Sequence, residues 1–342
     1  MKKKSKFKPA WWLKNAHMQT IWPTLTRPKI KLKLQRQRFE LSDGDFLDLD
    51  WIENTDPTAP IVVVLHGLGG SINSPYALGT LQAIQQANWR GVLMHFRGAS
   101  EEHNRLACSY HAAETMDIKE FIYHLKEKEP NTPIGCVGYS LGGNVLLKWL
   151  GETGSKNPLA AAIAISVPFD LNKVLNRFNK GFSRFYSRYL LQQLTTNVIN
   201  KFSATDSYIP LDLEKIKKAT SFSDFDNNYT APVHGFANAY DYYQRASSRH
   251  YLKEIRVPTL ILHSEDDPFM TPDAVPDESE LSDYVTLELS PQGGHVGFVA
   301  GRWPWQAEYW LERRIPEFLS SYLNINKSLA SVKALEDNLN SE

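Results

Sequence analysis

The chain has 342 residues, 42% of them apolar and 22% charged, enough to bury a large core and ordinary for a soluble enzyme. Its 38 basic residues balance 38 acidic ones, so no global field draws it to nucleic acid or acidic lipid. No window approaches 18 consecutive apolar residues, which argues against stable membrane insertion.

In chain order, the lysine run from Met1 to Lys8 reads as a solvated tail. The apolar stretch that a secretion signal needs does not follow it, because Ala10-Trp11-Trp12-Leu13 is cut off by Lys14 and Asn15. Residues 1–30 are expected to be irregular, with Trp11, Trp12, Trp22, Pro23 and Pro28 among them. Alternation from Lys31 toward Leu41, a turn at Ser42-Asp43-Gly44-Asp45, and renewed alternation from Phe46 to Ile52 predict an antiparallel hairpin.

The pattern then changes. Ile61–Leu65 is continuously apolar and β-branched, as for a strand covered on both faces. Similar runs recur at Gly91–Met94, Ile134–Val137, Ala162–Ile165, Thr259–Leu262 and Val285–Leu289, with helix-length stretches between them such as Ala112–Lys128 and Gly142–Leu150. This alternation predicts an α/β fold with a mostly parallel sheet and helices on both faces. The core is expected to span 31–167 and 252–325. Residues 168–251 contain no buried-strand run and are expected to form a helical cap insertion, and 326–342 a tail. Phe178, Phe182, Phe185, Tyr186 and Tyr189 share one helical face, with Arg184 and Arg188 opposite. That face predicts either an apolar acyl pocket or packing between cap and sheet; with its arginines, the helix also suits transient contact with a membrane surface. The two cysteines, Cys108 and Cys136, suggest a reducing compartment, and a cytoplasmic location is expected.

Gly138-Tyr139-Ser140-Leu141-Gly142 is the strongest local signal. A G-x-S-x-G arises by composition in about one chain in ten of this length, so its context carries the inference: it follows the strand at Ile134–Val137 and opens a helix. That setting is a nucleophile elbow, which exposes Ser140 at a helix N-terminus. His66-Gly67-Leu68-Gly69-Gly70, directly after Ile61–Leu65, is a glycine-rich loop whose amides can approach a ligand. The oxyanion hole then falls to the amides of Leu68 and Leu141. Neither phosphate-loop pattern is present in it.

A serine needs a base. Of ten histidines, His295 stands in a glycine-flanked loop, Pro291-Gln292-Gly293-Gly294-His295-Val296-Gly297, after the last predicted strand. The carboxylate comes from Ser264-Glu265-Asp266-Asp267-Pro268. Asp267 is preferred to Asp266 because Pro268 helps turn the loop toward the histidine. The order Ser140, Asp267, His295 is the one this architecture uses. His66 is expected to brace its own loop; His17 and His95 fall outside the strand-end order. No H-E-x-x-H or paired-cysteine pattern predicts a metal, and no cofactor is expected.

With these residues in place, the sequence resembles the YheT-like branch of the α/β-hydrolases, which includes eukaryotic abhydrolase-domain esterases and lipases. The resemblance runs from about residue 8 to 322. It includes Asn15-Ala16-His17-Met18-Gln19-Thr20-Ile21; Phe96-Arg97-Gly98-Ala99-Ser100 with Asn104-Arg105-Leu106 and Tyr110-His111; and Asp224-Phe225-Asp226, Gly235-Phe236, Asp241-Tyr242-Tyr243, Ser247 and Pro258. It implies Ser140, Asp267 and His295 as the charge-relay residues and a carboxylic-ester substrate, glycerolipids among them, with acyl transfer to an alcohol as the alternative outcome. Eukaryotic relatives usually carry an N-terminal membrane anchor that this sequence does not show, and Ala99 stands where many have cysteine, a change nothing in the sequence explains. The expected activity is serine esterase chemistry on a short- or medium-chain or lipid-like ester. A non-catalytic binding module on the same fold is the contrasting reading, and it predicts loss of a triad residue.

Overall fold

The computed structural model describes residues 1–54, 56–204 and 211–324; the expected tail at 326–342 lies outside the described residues. Eleven strands are seen among them: β1 Lys2–Lys4, β2 Leu34–Glu40, β3 Phe46–Ile52, β4 Ile61–Leu65, β5 Arg90–Met94, β6 Ile134–Tyr139, β7 Ala161–Ile165, β8 Thr259–Ser264, β9 Val285–Ser290, β10 Val299–Ala300 and β11 Glu308–Tyr309. The first nine form one sheet in the order β1-β9-β8-β7-β6-β4-β5-β3-β2. β2 and β3 pair antiparallel, β3 joins β5 antiparallel, and every other neighbour in this sheet is parallel.

The continuous apolar runs follow from two covered faces. Along β4, Val63 and Leu65 face a core shared with α3 (Met116–Lys128) and α4 (Leu141–Thr153), while Val62 and Val64 face one shared with α2 (Ala77–Gln86) and α11 (Trp310–Leu323). Burying each such side chain contributes roughly 1.5–3 kcal/mol relative to exposure. Small residues set the sheet-to-helix distance: a Cβ on Gly138 would meet Gly142 O at 2.5 Å.

Between β7 and β8 the chain runs through α5 (Leu171–Phe178), α6 (Ser183–Ala204), α7 (Leu213–Lys217), α8 (Phe222–Phe225), a π-turn at Asp226–Thr230, α9 (Ala231–His234) and α10 (Ala239–Ala246). No helix among the described residues is long and apolar enough to cross a membrane.

Three expectations need correction. Residues 1–30 are not irregular throughout. Lys2–Lys4 pairs in parallel with Leu287–Leu289, because the edge of β9 offers unpaired backbone groups that the tail satisfies while its lysine side chains stay in water. Within the same segment, α1 spans Ala16–Thr26, capped by the Asn15 side chain, which accepts from the amides of His17 and Met18. Second, the hairpin strand begins at Leu34 rather than Lys31. Third, the aromatic stripe is not one buried helical face. Gly181, at φ +53°, separates α5 from α6. Phe178 ends α5 and is buried, Tyr186 is buried, but Phe182, Phe185 and Tyr189 are 52%, 63% and 56% exposed. Tyr186 and Leu191 turn inward with Ser183 and Ser187, so hydrophobicity alone misassigned the inner face.

Candidate functional site

Every predicted site residue sits at the C-terminal end of a parallel strand, where ligand sites of open α/β sheets form. Ser140 follows β6 with φ +49° and ψ −115°, a conformation that costs an L-residue of order 1–3 kcal/mol and that its surroundings enforce. Its amide donates to Ile165 O at 2.8 Å. A Cβ on Gly142 would lie 2.5 Å from His66 O, so only glycine lets α4 start this close to the neighbouring loop.

That loop is held from three directions. The His66 Nδ1 proton is donated to Gly67 O at 2.8 Å and Nε2 accepts from the Phe96 amide at 3.1 Å, which fixes a neutral ring. Burial pushes the His66 pKa down to about 3. Tyr76 Oη accepts from the Gly67 amide at 2.7 Å, and Tyr110 Oη from the Gly69 amide at 2.9 Å. Between them, the Leu68 amide has no protein acceptor among the described residues, and the same is true of the Leu141 amide at the first turn of α4.

The structure brings Ser140, His295 and Asp267 together. His295 Nε2 lies 2.9 Å from Ser140 Oγ, and His295 Nδ1 lies 2.8 Å from Asp267 Oδ2. Asp267 Oδ1 accepts from the Phe269 amide at 2.8 Å, and both Asp267 and His295 are buried. The Phe269 ring stacks on the imidazole, with centroids 4.0 Å apart. Asp266 takes a different place: its Oδ1 accepts from the Gly294 amide at 2.9 Å. Burial, foremost, raises its pKa.

Sequence reasoning missed what holds the histidine loop. The His295 amide donates to Thr20 Oγ1 at 2.9 Å, and Thr20 Oγ1 donates to Ala16 O at 2.8 Å. Gln19, fully buried, donates to Leu13 O and Val299 O and accepts from the Val299 amide. A Cβ on Gly294, which has φ +61°, would lie 2.5 Å from Ala16 O. Helix α1 is therefore the back wall of the histidine loop, and the Asn15 cap was the readable trace of it. Of the remaining histidines, His17 Nδ1 meets Tyr186 Oη at 3.2 Å, tying α1 to α6, and His95 Nε2 pairs with Asp50 Oδ2 at 2.7 Å, away from Ser140.

Two hollows meet at Ser140 and His295. One is a narrow apolar cavity of about 140 Å³ beneath α5 and α6, lined by Val174, Phe178, Leu194 and Val198. Its lining also includes polar groups. Among them, Asp226 accepts from Thr230 Oγ1 and Tyr243 Oη, both at 2.6 Å, and burial lifts its pKa to about 6. The second is a wider cleft of about 760 Å³ between α1, the glycine loop and α6, lined by Ile21, Ser71, Asn73, Tyr76 and Gln193. No group of three or more His, Cys, Asp or Glu among the described residues is placed to hold a metal ion.

Residues 60–301 match the family described as alpha/beta hydrolase fold. An Escherichia coli protein named "Putative esterase YheT" is 43% identical over 321 residues, covering 93% of this chain and 94% of its own. The human protein named phospholipase ABHD3 is 29% identical, over 94% of this chain and 80% of its own. The Pyrococcus furiosus esterase Pf2001 structure superposes with a TM-score of 0.54 at 16% identity, over 86% of this chain and 97% of that one, a likeness of fold. With the sheet, the strand-end site and these matches together, the chain belongs to the α/β-hydrolase fold family, in its YheT-like branch.

Proposed function

We propose that this protein hydrolyses carboxylic esters through an acyl-enzyme on Ser140. The observation that carries the reading is the hydrogen-bonded chain from Ser140 Oγ through His295 to Asp267, at 2.9 and 2.8 Å, beside two unengaged amides. His295 accepts the serine proton as Oγ attacks the ester carbonyl, and Asp267 holds the Nδ1 proton and stabilises the imidazolium. The amides of Leu68 and Leu141 receive the oxyanion, each contributing roughly 3–4 kcal/mol in the transition state. His295 then protonates the departing alcohol, and water attacks the acyl-enzyme by the same route.

The narrow cavity suits a short- or medium-chain acyl group, and the wider cleft suits the alcohol portion of a small-molecule or lipid-like ester. Helices α5 to α10 serve as the cap over that acyl site. Relatives named esterase and phospholipase support a lipid-like ester, and two free cysteines fit a cytoplasmic address. The wider cleft also leaves room for an alcohol to replace water, which would make acyl transfer a second outcome of the same acyl-enzyme. Hydrolysis of p-nitrophenyl esters of graded chain length tests the reading. Activity that falls by at least about 10³-fold in Ser140→Ala supports it, and activity retained by that variant refutes it.

A further inference from the structure

Charge is distributed unevenly around the cleft. Residues 171–204, which include the cap wall of the cleft, hold six basic residues and no acidic one. Helix α6 of this segment faces α1 across the wide cleft. On the α5–α6 side, Lys180, Arg184 and Arg188 are exposed and Arg177 is half-buried. None of the four has a carboxylate within ion-pair distance among the described residues, whereas Lys173 of the same segment pairs with Asp273.

The exposed aromatics lie beside these cations. Phe182, in the bend just before α6, and Phe185 and Tyr189, on the outer side of α6, adjoin the stripe of Arg184 and Arg188. Across the cleft, α1 leaves Leu25 and Met18 74% and 44% exposed. A monomer gains nothing in water from such a rim, whereas a face that joins exposed aromatics to unpaired cations fits an anionic lipid–water interface.

We propose that the outer face of α6 and the bend at Gly181 dock on an anionic bilayer, so that an ester carried in that bilayer enters the wide cleft and reaches Ser140. This rests on the ester-hydrolase reading for its purpose, but not for its test. The cations supply attraction to the surface, each contributing roughly five-fold to partitioning. The aromatics enter the headgroup region and set the cleft mouth against the lipid. A neutral surface would offer the aromatics but leave the cations without partners.

Co-sedimentation with vesicles of phosphatidylcholine alone, and of phosphatidylcholine with phosphatidylglycerol, tests this with the full chain. The expected result is binding to the anionic vesicles, weak binding to the neutral ones, and release by high salt. Arg184→Glu/Arg188→Glu should weaken anionic binding by about 25-fold or more while leaving the rate on a soluble short-chain p-nitrophenyl ester unchanged. Phe182→Ser should weaken binding at a given salt without removing its salt dependence. Equal binding to both vesicle types, no binding to either, or charge reversal without effect would overturn the proposal. So would sedimentation velocity showing a dimer that the same charge reversal dissociates, since a second copy would then be the occupant. Loss of soluble-ester turnover with vesicle binding intact would strike the ester-hydrolase reading alone.

Discussion

Two adjacent carboxylates compete for the role of histidine partner, and exchanging each for its amide separates them. Asp267 Oδ1 accepts from the Phe269 amide at 2.8 Å while Oδ2 faces His295 Nδ1 at 2.8 Å. In Asp267→Asn the amide oxygen keeps the contact with Phe269, so the NH2 group turns to the imidazole. His295 must then present a lone pair at Nδ1 and carry its proton on Nε2, aimed at Ser140 Oγ. A ring in that tautomer cannot act as the base, and kcat should fall by about 10⁴, equivalent to roughly 5.5 kcal/mol of barrier. Asp266→Asn still offers an amide oxygen to the Gly294 amide, now held at 2.9 Å, and should lose less than about tenfold. Steady-state hydrolysis of a soluble p-nitrophenyl ester, with circular dichroism to establish folding, reads both variants. Equal losses, or a larger loss at Asp266, would refute the assignment of Asp267.

Other consequences follow from the same geometry. Thr20→Val leaves the buried His295 amide without an acceptor, a cost of roughly 1–3 kcal/mol; kcat should drop about tenfold or more, and Thr20→Ser should restore most of it in the same assay. Leu194→Trp fills part of the apolar cavity, so a chain-length series should shift toward shorter esters with acetate turnover retained. Burial lowers the pKa of His66 to about 3 and of His234 and His263 to about 4. The unfolded chain binds their protons first, so stability falls as pH drops from about 6.5 toward 4, which thermal melts across that range would show. Asp226, raised to about 6 by burial, acts in the opposite sense between about 4 and 6; Asp226→Asn should therefore steepen the acid loss, and a shallower slope would contradict the assignment.

The sheet was legible because β4 to β9 are covered on both faces, and a doubly covered strand has little choice but a continuous apolar run. The placement of Ser140, Leu68 and His295 at neighbouring strand ends was legible because strand ends, glycine spacing and chain order are written in the sequence. The N-terminal elements were not. β1 owes its existence to the free edge of β9, which no property of three lysines reveals. In α1, Pro23 disguised the helix, and its role depends on Gly294 lying within reach of Ala16 O, a contact between residues far apart in sequence. The face of α6 was misjudged for a related reason. Periodicity identifies a stripe, but whether the stripe meets a core or solvent depends on where Gly181 turns the chain. The small Ser183 and Ser187, rather than Phe182 and Phe185, fit against the body of the protein.

Reaction with a fluorophosphonate, followed by intact mass and peptide mapping, tests the central claim most directly. The account predicts one covalent phosphonyl group, placed on Ser140, absent in Ser140→Ala and slowed by orders of magnitude in His295→Ala, whose serine has lost the base 2.9 Å away. Labelling of a different residue, or equal labelling of the wild-type and Ser140→Ala proteins, would contradict it.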